Sequence, residues 1–365
     1  MTRRGTVLRH APGKLFIAGE YAVIEPGHPA ILVAVDRQVS VTVSGSDGTA
    51  VTIESDLVPG GLRQRRHDGA LAPADADGQP AQKSLGHVVS AIEVVDELLT
   101  ARGQPTPPIH VSIRSRLHRD GIKFGLGSSG AVTVATVTAA ASYSGLQLSP
   151  EQRFRLAMLA TARRDARASG GDLAASIWGG WIAYQAPDRA AVLELAQRRG
   201  IEEMLRSPWP GFELRRLPPP RGLSLEVGWT GQPASTATLV GQLGSTSRRS
   251  FVARSDACVH AAIRALEQGA DQELMHRVRG TRQVLAELDC EVGLGIFTTR
   301  LTALCDAAEA VGGAAKPSGA GGGDCGIALL DVTARKEISR LRKEWVDAGV
   351  LPLPIHVEPT NGNEE

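Results

Sequence analysis

Several stretches of this chain hold residues whose types and spacing could do chemistry. The most suggestive is Lys123-Phe124-Gly125-Leu126-Gly127-Ser128-Ser129-Gly130-Ala131, followed by a run of small residues to Ala141 that contains neither proline nor glycine. That run predicts a helix. The glycines let the backbone approach a ligand closely and turn without a Cβ penalty. A helix start presents free N–H groups and the positive end of the macrodipole, which favours an anion such as phosphate. Ser128 and Ser129 add hydroxyls that could donate to phosphate or hold a phosphate-bound Mg²⁺. A plain turn with a serine N-cap would explain the same residues, so the rest of the chain has to decide.

Three other stretches bear on that decision. In Ala11-Pro12-Gly13-Lys14-Leu15-Phe16-Ile17-Ala18-Gly19-Glu20-Tyr21-Ala22-Val23, Lys14 opens an otherwise apolar strand between two glycines. Most lysines keep the ammonium in water; this one could instead be delivered to a site by a rigid strand. The run Lys316-Pro317-Ser318-Gly319-Ala320-Gly321-Gly322-Gly323-Asp324-Cys325-Gly326 has five glycines in the eight residues from Gly319. Ordering so many glycines costs chain entropy, and backbone N–H groups in such a loop form a nest for anionic oxygens. Strands predicted on both sides argue against a free linker. Finally, Ser169 and Asp172 have capping-box spacing in Ala168-Ser169-Gly170-Gly171-Asp172. Local sequence favours the cap, although a carboxylate held beside glycines also suits a general base.

Common phosphate-binding folds do not fit. Gly125-x-Gly127-x-x-Gly130 matches the dinucleotide fingerprint, but the nearest strand-like run, Ile109 to Ile113, ends well short of it. The acid at the right distance, Glu151, follows Ser149-Pro150 and reads as the first turn of a helix. With Val132 the glycines match a protein-kinase loop, yet His118-Arg119-Asp120 precedes them rather than following. No Asp-Phe-Gly and no Walker A sequence occurs.

The chain has 365 residues, 42% of them hydrophobic, enough for two domains with sizeable cores. A net charge of +1 argues against nucleic acid or a membrane surface as partner. The four cysteines, Cys258, Cys290, Cys305 and Cys325, form no Cys-x-x-Cys pair. That spacing suggests neither zinc nor a disulfide framework and fits a reducing, cytoplasmic setting. No stretch approaches a membrane span, and the basic N-terminus has no apolar run behind it.

The elements that must position these residues follow from periodicity. Thr6 to His10 and Lys14 to Ala18 read as strands broken by Pro12-Gly13. Ala30 to Val35 reads as a buried strand, and Val39 to Val43 and Val51 to Glu54 as alternating ones. Residues 60–80 read as a surface loop. Apolar residues from Leu85 to Leu99 recur at helical spacing and Gly103 ends that helix. A helix over 150–167 and a strand over 181–184 follow. Prolines at 208, 210 and 218–220 mark a connection. Beyond it we expect a strand over 223–229 and helices over 235–243, 250–268, 271–288 and 297–311. Strands over 314–317 and 325–331, a helix over 333–348 and a strand over 353–357 complete an α+β sandwich close to a ferredoxin-like arrangement.

Taken in order, Pro12-Gly13-Lys14 with Gly19-Glu20-Tyr21, then Gly125 to Ser129, then Lys316 to Asp324 resemble the three motifs of the GHMP small-molecule kinases. Gly-Glu-Tyr-Ala-Val from Gly19, Lys123 ahead of the glycines, Ser169-Gly-Gly-Asp172, and Gly228-Trp229-Thr230-Gly231 with Ala234-Ser235-Thr236 are most similar to the branch whose acceptor is 5-phosphomevalonate. The resemblance implies an α+β fold: residues 1–186 as an ATP-binding domain like the ribosomal protein S5 domain 2, and 187–365 as a ferredoxin-like domain. It implies ATP over Gly125, Leu126, Gly127, Ser128, Ser129 and Gly130, with Ser318, Gly319 and Gly321 closing over the phosphates. Lys14, Lys123 and Asp172 would be catalytic, Asp172 as base. Lys14, Tyr21, Ser169, Ser235 and Ser318 would meet the acceptor, and Ser129 would hold Mg²⁺. Mevalonate is the alternative acceptor. The expected protein is a cytoplasmic monomer or homodimer that acts on a small molecule and binds neither nucleic acid nor membrane. One departure is that Thr161 stands eleven residues before Asp172, where mevalonate kinases carry a glutamate for Mg²⁺; the nearest acid is Asp165. A phosphorylated acceptor also calls for extra cations, for which Lys123, Lys83, Arg37 and Arg249 are the candidates.

Overall fold

The computed structural model describes residues 5–46, 48–74, 84–232 and 245–359, with side chains from Arg249 onward in the last stretch. The chain begins with β1 (Val7–Ala18), which pairs antiparallel with β2 (Pro29–Gly45). The sequence had suggested two short strands here. Instead β1 is continuous, with a register shift at Pro12/Gly13. β2 is its sole ladder partner among the described strands, so the missing N–H of Pro12 breaks nothing on the outer side. Likewise, the two runs expected at 30–35 and 39–43 are one long strand. β2 pairs with β9 (Trp181–Gln185) along its first part and with β6 (Ile109–Ser115) along its last.

Next come β3 (Val51–Ser55), β4 (Val58–His67) and β5 (Ala70–Pro73). The loop expected over 60–80 is therefore a strand pair as far as Pro73, and 75–83 lie outside the described residues. β4 buries Leu62 and Gln64 while Arg63 and Arg65 face out. Such a half-polar strand shows little apolar periodicity to read. With β10 (Glu213–Leu217) the sheet has eight strands, ordered β10-β9-β2-β6-β3-β4-β5, with β1 alongside β2.

Helices α1 (Gly86–Ala101), α2 (Ser128–Tyr143), α3 (Pro150–Arg164) and α4 (Gly171–Trp178) cover this sheet. Between β6 and α2 a small hairpin, β7 (His118–Arg119) and β8 (Ile122–Lys123), leads into the glycine stretch. α2 is buried on nearly every side, packed on β1, β2, α1, α3 and α4. Its Ala, Val and Thr residues are small enough for that central place, and a helix apolar all round belongs in a core. α3 starts on Ser149, whose hydroxyl accepts from Gln152 N while Gln152 reaches back to Ser149 N.

After β9 the chain forms α5 (Arg189–Arg199) and α6 (Ile201–Arg206), neither anticipated, before β10 returns to the first sheet. Residues 189–217 thus pack with the first layer, and the change of sheet falls at Pro218–Gly222, later than the expected 186/187 boundary. The second sheet holds β11 (Leu223–Trp229), β12 (Ala314–Ser318), β13 (Cys325–Asp331) and β14 (Leu351–Leu353), ordered β12-β13-β11-β14 and antiparallel throughout. Taking these strands as first to fourth, that is the ferredoxin-like order. Helices α7 (Ser245–Gln268), α8 (Asp271–Val292), α9 (Thr299–Ala310) and α10 (Arg335–Asp347) complete the domain. The helix expected at 235–243 lies outside the described residues. The last strand sits earlier than the expected 353–357; past it, Val357 bridges to Val35 and Glu358 N donates to Ala34 O, tying the tail to the first sheet. Among the described residues no helix is long and apolar enough to cross a membrane.

Candidate active site

A cavity of about 650 Å³ opens between the two layers, and the three sequence motifs converge on it. β1 delivers Lys14. Gly13 lies so close to the glycine loop that an added methyl would sit 2.7 Å from Leu126 O, and Lys14 N donates to that carbonyl at 2.9 Å. Glycine is thus required where the strand meets the loop. The Lys14 side chain is 8% exposed; its Nζ lies 3.5 Å from Gly125 O and 5.1 Å from the Phe16 ring centre. Burial pulls its pKa below the ordinary 10.5, while the negative charges of Asp172 and Asp324 hold it up.

Asp172 comes from the first turn of α4, at whose N-cap is Gly170 in the left-handed region, φ 77°. The capping-box reading is overturned. The helix has no side-chain cap, Asp172 Oδ1 accepts from its neighbour Leu173 N, and Ser169 Oγ accepts from Gly171 N at 3.4 Å. With the cap at Gly170, Asp172 falls at the second helical position, too early to close a box with Ser169. Its carboxylate lines the cavity.

The glycine loop is shaped around these two side chains. A methyl at Gly127 would lie 3.0 Å from Lys14 Cγ and 3.2 Å from Asp172 Cβ; one at Gly130 would lie 2.5 Å from Asp172 Cγ. Gly125 gives the same room to Asp324, whose Cβ a methyl would approach to 2.5 Å. Gly127, Ser128, Ser129 and Gly130 line the cavity where α2 begins. Leu126, in contrast, is 1% exposed, with its side chain in the core; it serves through its carbonyl. The backbone N–H groups at the start of α2 are therefore available to an anion.

The third motif closes the opposite wall with Ser318, Gly319, Ala320 and Asp324. Gly321 does not line the cavity: a methyl there would lie 2.5 Å from Ile296 Cγ2, so this glycine faces the second domain. The Ser318 hydroxyl is engaged by β1, accepting from Phe16 N at 2.8 Å and donating to Phe16 O at 3.0 Å. Tyr21 donates its hydroxyl to Ala320 O. Tyr21 and Asp324, with φ of 63° and 49°, are non-glycine residues in the left-handed half of the map. Such backbone costs of order 1–3 kcal/mol and gathers at functional sites.

The cavity also takes in Thr161 and Asp165, which the sequence marked only as the place of an absent metal-binding glutamate and the acid nearest to it, and three residues that it did not mark, His87, Arg164 and Arg167. His87 enters from the first turn of α1, Thr161 and Arg164 from the end of α3, and Asp165 and Arg167 from the turn after it. Arg164 lies against Gly86, where a methyl would come within 2.2 Å of its guanidinium. Burial, with the Arg164 charge next, lowers the His87 pKa. Locally these look like an ordinary basic helix end and an ordinary helix start, so only the packing of α1 on α3 reveals them. Lys123 and Ser169 line the cavity as expected. Arg37 does not; its guanidinium stacks 4.7 Å from the Phe124 ring centre. Arg249 is exposed away from the cavity wall. Lys83 and Ser235 lie outside the described residues.

The carboxylates of Glu20, Asp165, Asp172 and Asp324 line the cavity, but they are not gathered into a metal cage. Among the described residues there is no cluster of three His, Cys, Asp or Glu side chains that could hold a metal. Ser129 and Asp172 line the cavity, and so does Thr161, whose buried Oγ1 has no partner among the described residues. A few protein oxygens fit Mg²⁺, which keeps water and phosphate oxygens as its other ligands.

Comparison with known proteins agrees with this geometry. Residues 87–180 match the GHMP kinases N-terminal domain, and residues 262–347 match the GHMP kinases C-terminal domain. The chain is 63% identical to a phosphomevalonate kinase of Streptomyces sp. (strain CL190), over 97% of this chain and 98% of that one. It is 30% identical to a mevalonate kinase of Thermococcus onnurineus (strain NA1), over 88% of this chain and 89% of that one. The solved structure of Streptococcus pneumoniae phosphomevalonate kinase, in complex with phosphomevalonate and AMPPNP, superimposes with a TM-score of 0.83 at 28% identity. That match covers 96% of this chain and 99% of the other.

Proposed function

From the premise that this chain belongs to the GHMP kinases, we propose that it transfers the γ-phosphoryl group of ATP to the phosphate of 5-phosphomevalonate. The products are 5-diphosphomevalonate and ADP. The observation that carries the reading is the meeting of Lys14 and Asp172 over Gly127, where a methyl would lie 3.0 Å from one side chain and 3.2 Å from the other. A buried cation and a carboxylate are thus held at a helix N-terminus built to receive phosphate.

Phosphoryl transfer asks the protein chiefly for in-line positioning and neutralisation of charge. The ATP phosphates lie over Gly125 to Gly130, with Gly319 closing from the other domain. An oxygen of the acceptor phosphate forms a bond to the γ-phosphorus as the bond to the β–γ bridging oxygen breaks, and ADP leaves. Asp172 takes the proton carried by a monoprotonated acceptor, since phosphate esters lose their second proton near pH 6. Lys14 and Lys123 neutralise the charge that builds on the transferring oxygens. Mg²⁺, held through Ser129, supplies further charge neutralisation on the nucleotide phosphates when bound.

The acceptor brings a phosphate and a carboxylate into one cavity. Lys123, Arg164 and Arg167 line it, and these, rather than Arg37 or Arg249, are the cations we assign to them. Lys123 and Arg164 have no ion-pair partner among the described residues. Tyr21 and Ser169 line the same cavity, and we assign them to the acceptor. Ser318 acts through its backbone, since its hydroxyl is bound by Phe16. We further propose a monomer or homodimer in a reducing, cytoplasmic setting; the four unbridged cysteines support the setting.

The test is ADP release from ATP and Mg²⁺ with 5-phosphomevalonate and, separately, with mevalonate. Turnover with the phosphorylated acceptor alone is the expected result. Turnover with mevalonate alone overturns the assignment while leaving the family intact.

A further inference from the structure

One buried charge pair stands outside the chemistry above. Lys316, in the middle of β12, is 0% exposed, and its ammonium donates to Glu20 Oε1 and, at 2.6 Å, to the carbonyl of Pro317. Glu20, just past β1, is 3% exposed. The pair joins the first motif to the third across the two layers. Glu20 Oε1 also accepts from Gly319 N at 3.4 Å, while Oε2 is buried without a partner among the described residues. Both Glu20 and Gly319 line the cavity.

Two further links join the same two motifs. Ser318 Oγ is bonded to the Phe16 backbone on both sides, and the Ala320 carbonyl accepts from the Tyr21 hydroxyl. Lys316 and Ser318, two apart on β12, thus turn their side chains to the first domain, and past the strand Ala320 reaches it with its carbonyl. Gly319 faces the cavity between them, and a methyl there would lie 3.8 Å from Lys14 Nζ.

We propose that Lys316 is a positioning residue for phosphoryl transfer: its ion pair with Glu20 sets the register of the third loop, so that the Gly319 backbone meets the nucleotide phosphates beside Lys14. This rests on the kinase reading and deepens it. Stability alone does not account for the pair, because a well-packed apolar pair in its place is often neutral or better. Its charge also reaches the site. Glu20 is one of the carboxylates that hold the Lys14 proton, and Lys316 compensates that negative charge next to a phosphate pocket. Misplacing a positioning group by about 1 Å can cost roughly 10²-fold in rate.

The experiment pairs Lys316→Met with Lys316→Arg and with the double change Glu20→Gln, Lys316→Met. We expect Lys316→Met to lower kcat by about 10²-fold, with a smaller rise in the KM for ATP, and Lys316→Arg to restore part of the loss. A folded Lys316→Met enzyme with the kcat of the wild type overturns the proposal, whatever its melting temperature. The double change removes both charges, so it tests the case where the single variant fails to fold. Recovery of melting temperature without recovery of kcat supports positioning. Recovery of both, or failure of all three variants to fold, makes the pair a stability device and overturns it. Hydrogen exchange of the 318–323 amides gives a readout free of turnover: it should quicken in Lys316→Met, and unchanged exchange contradicts the proposal. If the wild type itself does not phosphorylate 5-phosphomevalonate, the kinase reading fails, and the exchange measurement still decides whether the Lys316–Glu20 pair sets the register of the loop.

Discussion

The cavity is bounded by two glycine-rich loops that use glycine for different reasons. In the loop at 125–130, glycine makes room for side chains that line the cavity. Gly125 yields to Asp324, Gly127 to Lys14 and Asp172, and Gly130 to Asp172, with notional methyl distances of 2.5, 3.0 and 2.5 Å respectively. In the loop at 319–323, Gly321 yields to Ile296 and Gly323, at φ 149°, to the Gln232 carbonyl, with methyl distances of 2.5 and 2.3 Å. Those are scaffold neighbours. The first loop is built around side chains that line the cavity, Lys14, Asp172 and Asp324. The second is fitted to its own domain and carried to the site by Lys316, Ser318 and Ala320. Composition alone does not separate the two uses; what each missing Cβ would strike does.

The largest expected effect comes from removing what the first loop was shaped to admit. Asp172→Asn should lower kcat by about 10²–10⁴-fold while ATP binding, followed by titration calorimetry, stays close to the wild type. Equal loss of both would reduce Asp172 to a structural residue and erase the contrast. Gly130→Ala comes next. Alanine is the better helix former by about 1 kcal/mol, so a glycine kept only for its backbone could be replaced with little harm to turnover. Here the methyl meets the Asp172 carboxylate, and kcat should drop about tenfold or more even if the melting temperature holds.

The third prediction concerns pH. In the proposed role Lys14 works protonated, and burial lowers its pKa from the ordinary 10.5. The proton is therefore lost earlier as pH rises, and kcat/KM should decline on the alkaline side with a midpoint below 10.5. Lys14→Arg, whose guanidinium stays charged, should remove that decline at the cost of rate. An unchanged limb in the variant would detach Lys14 from it. The smallest effect on turnover belongs to the second loop. Gly321→Ala overpacks Ile296 and should destabilise the fold by about 1–3 kcal/mol, seen as a lower melting temperature, with kcat of the folded fraction changed far less than in Gly130→Ala. The reverse ranking would break the comparison.

Much of this arrangement was legible in the sequence because its signals are local. The α+β architecture, α2 after the glycines, the Ser149-Pro150 start of α3 and the antiparallel pair over 314–331 follow from periodicity, capping and turn chemistry. Ordered motifs then brought Lys14, Gly125 to Ser129, Asp172 and Gly319 into one expectation. Signals that depend on tertiary packing did not show. β4 and β5 buried too few apolar residues to display a period, so 60–73 read as loop. The Ser169–Asp172 spacing imitated a cap that Gly170 replaces. Arg164 and His87 meet only because α1 crosses α3. Ser318 looked free for a ligand until β1 was seen to claim its hydroxyl.

The measurement closest to the central claim is ³¹P NMR of the complete reaction: enzyme, ATP, Mg²⁺ and 5-phosphomevalonate. The account predicts a pair of coupled diphosphate resonances from the acceptor, growing in step with ADP and without free phosphate, and absent for Asp172→Asn. Free phosphate without a new diphosphate, or an acceptor resonance that never changes while ATP is consumed, would contradict it.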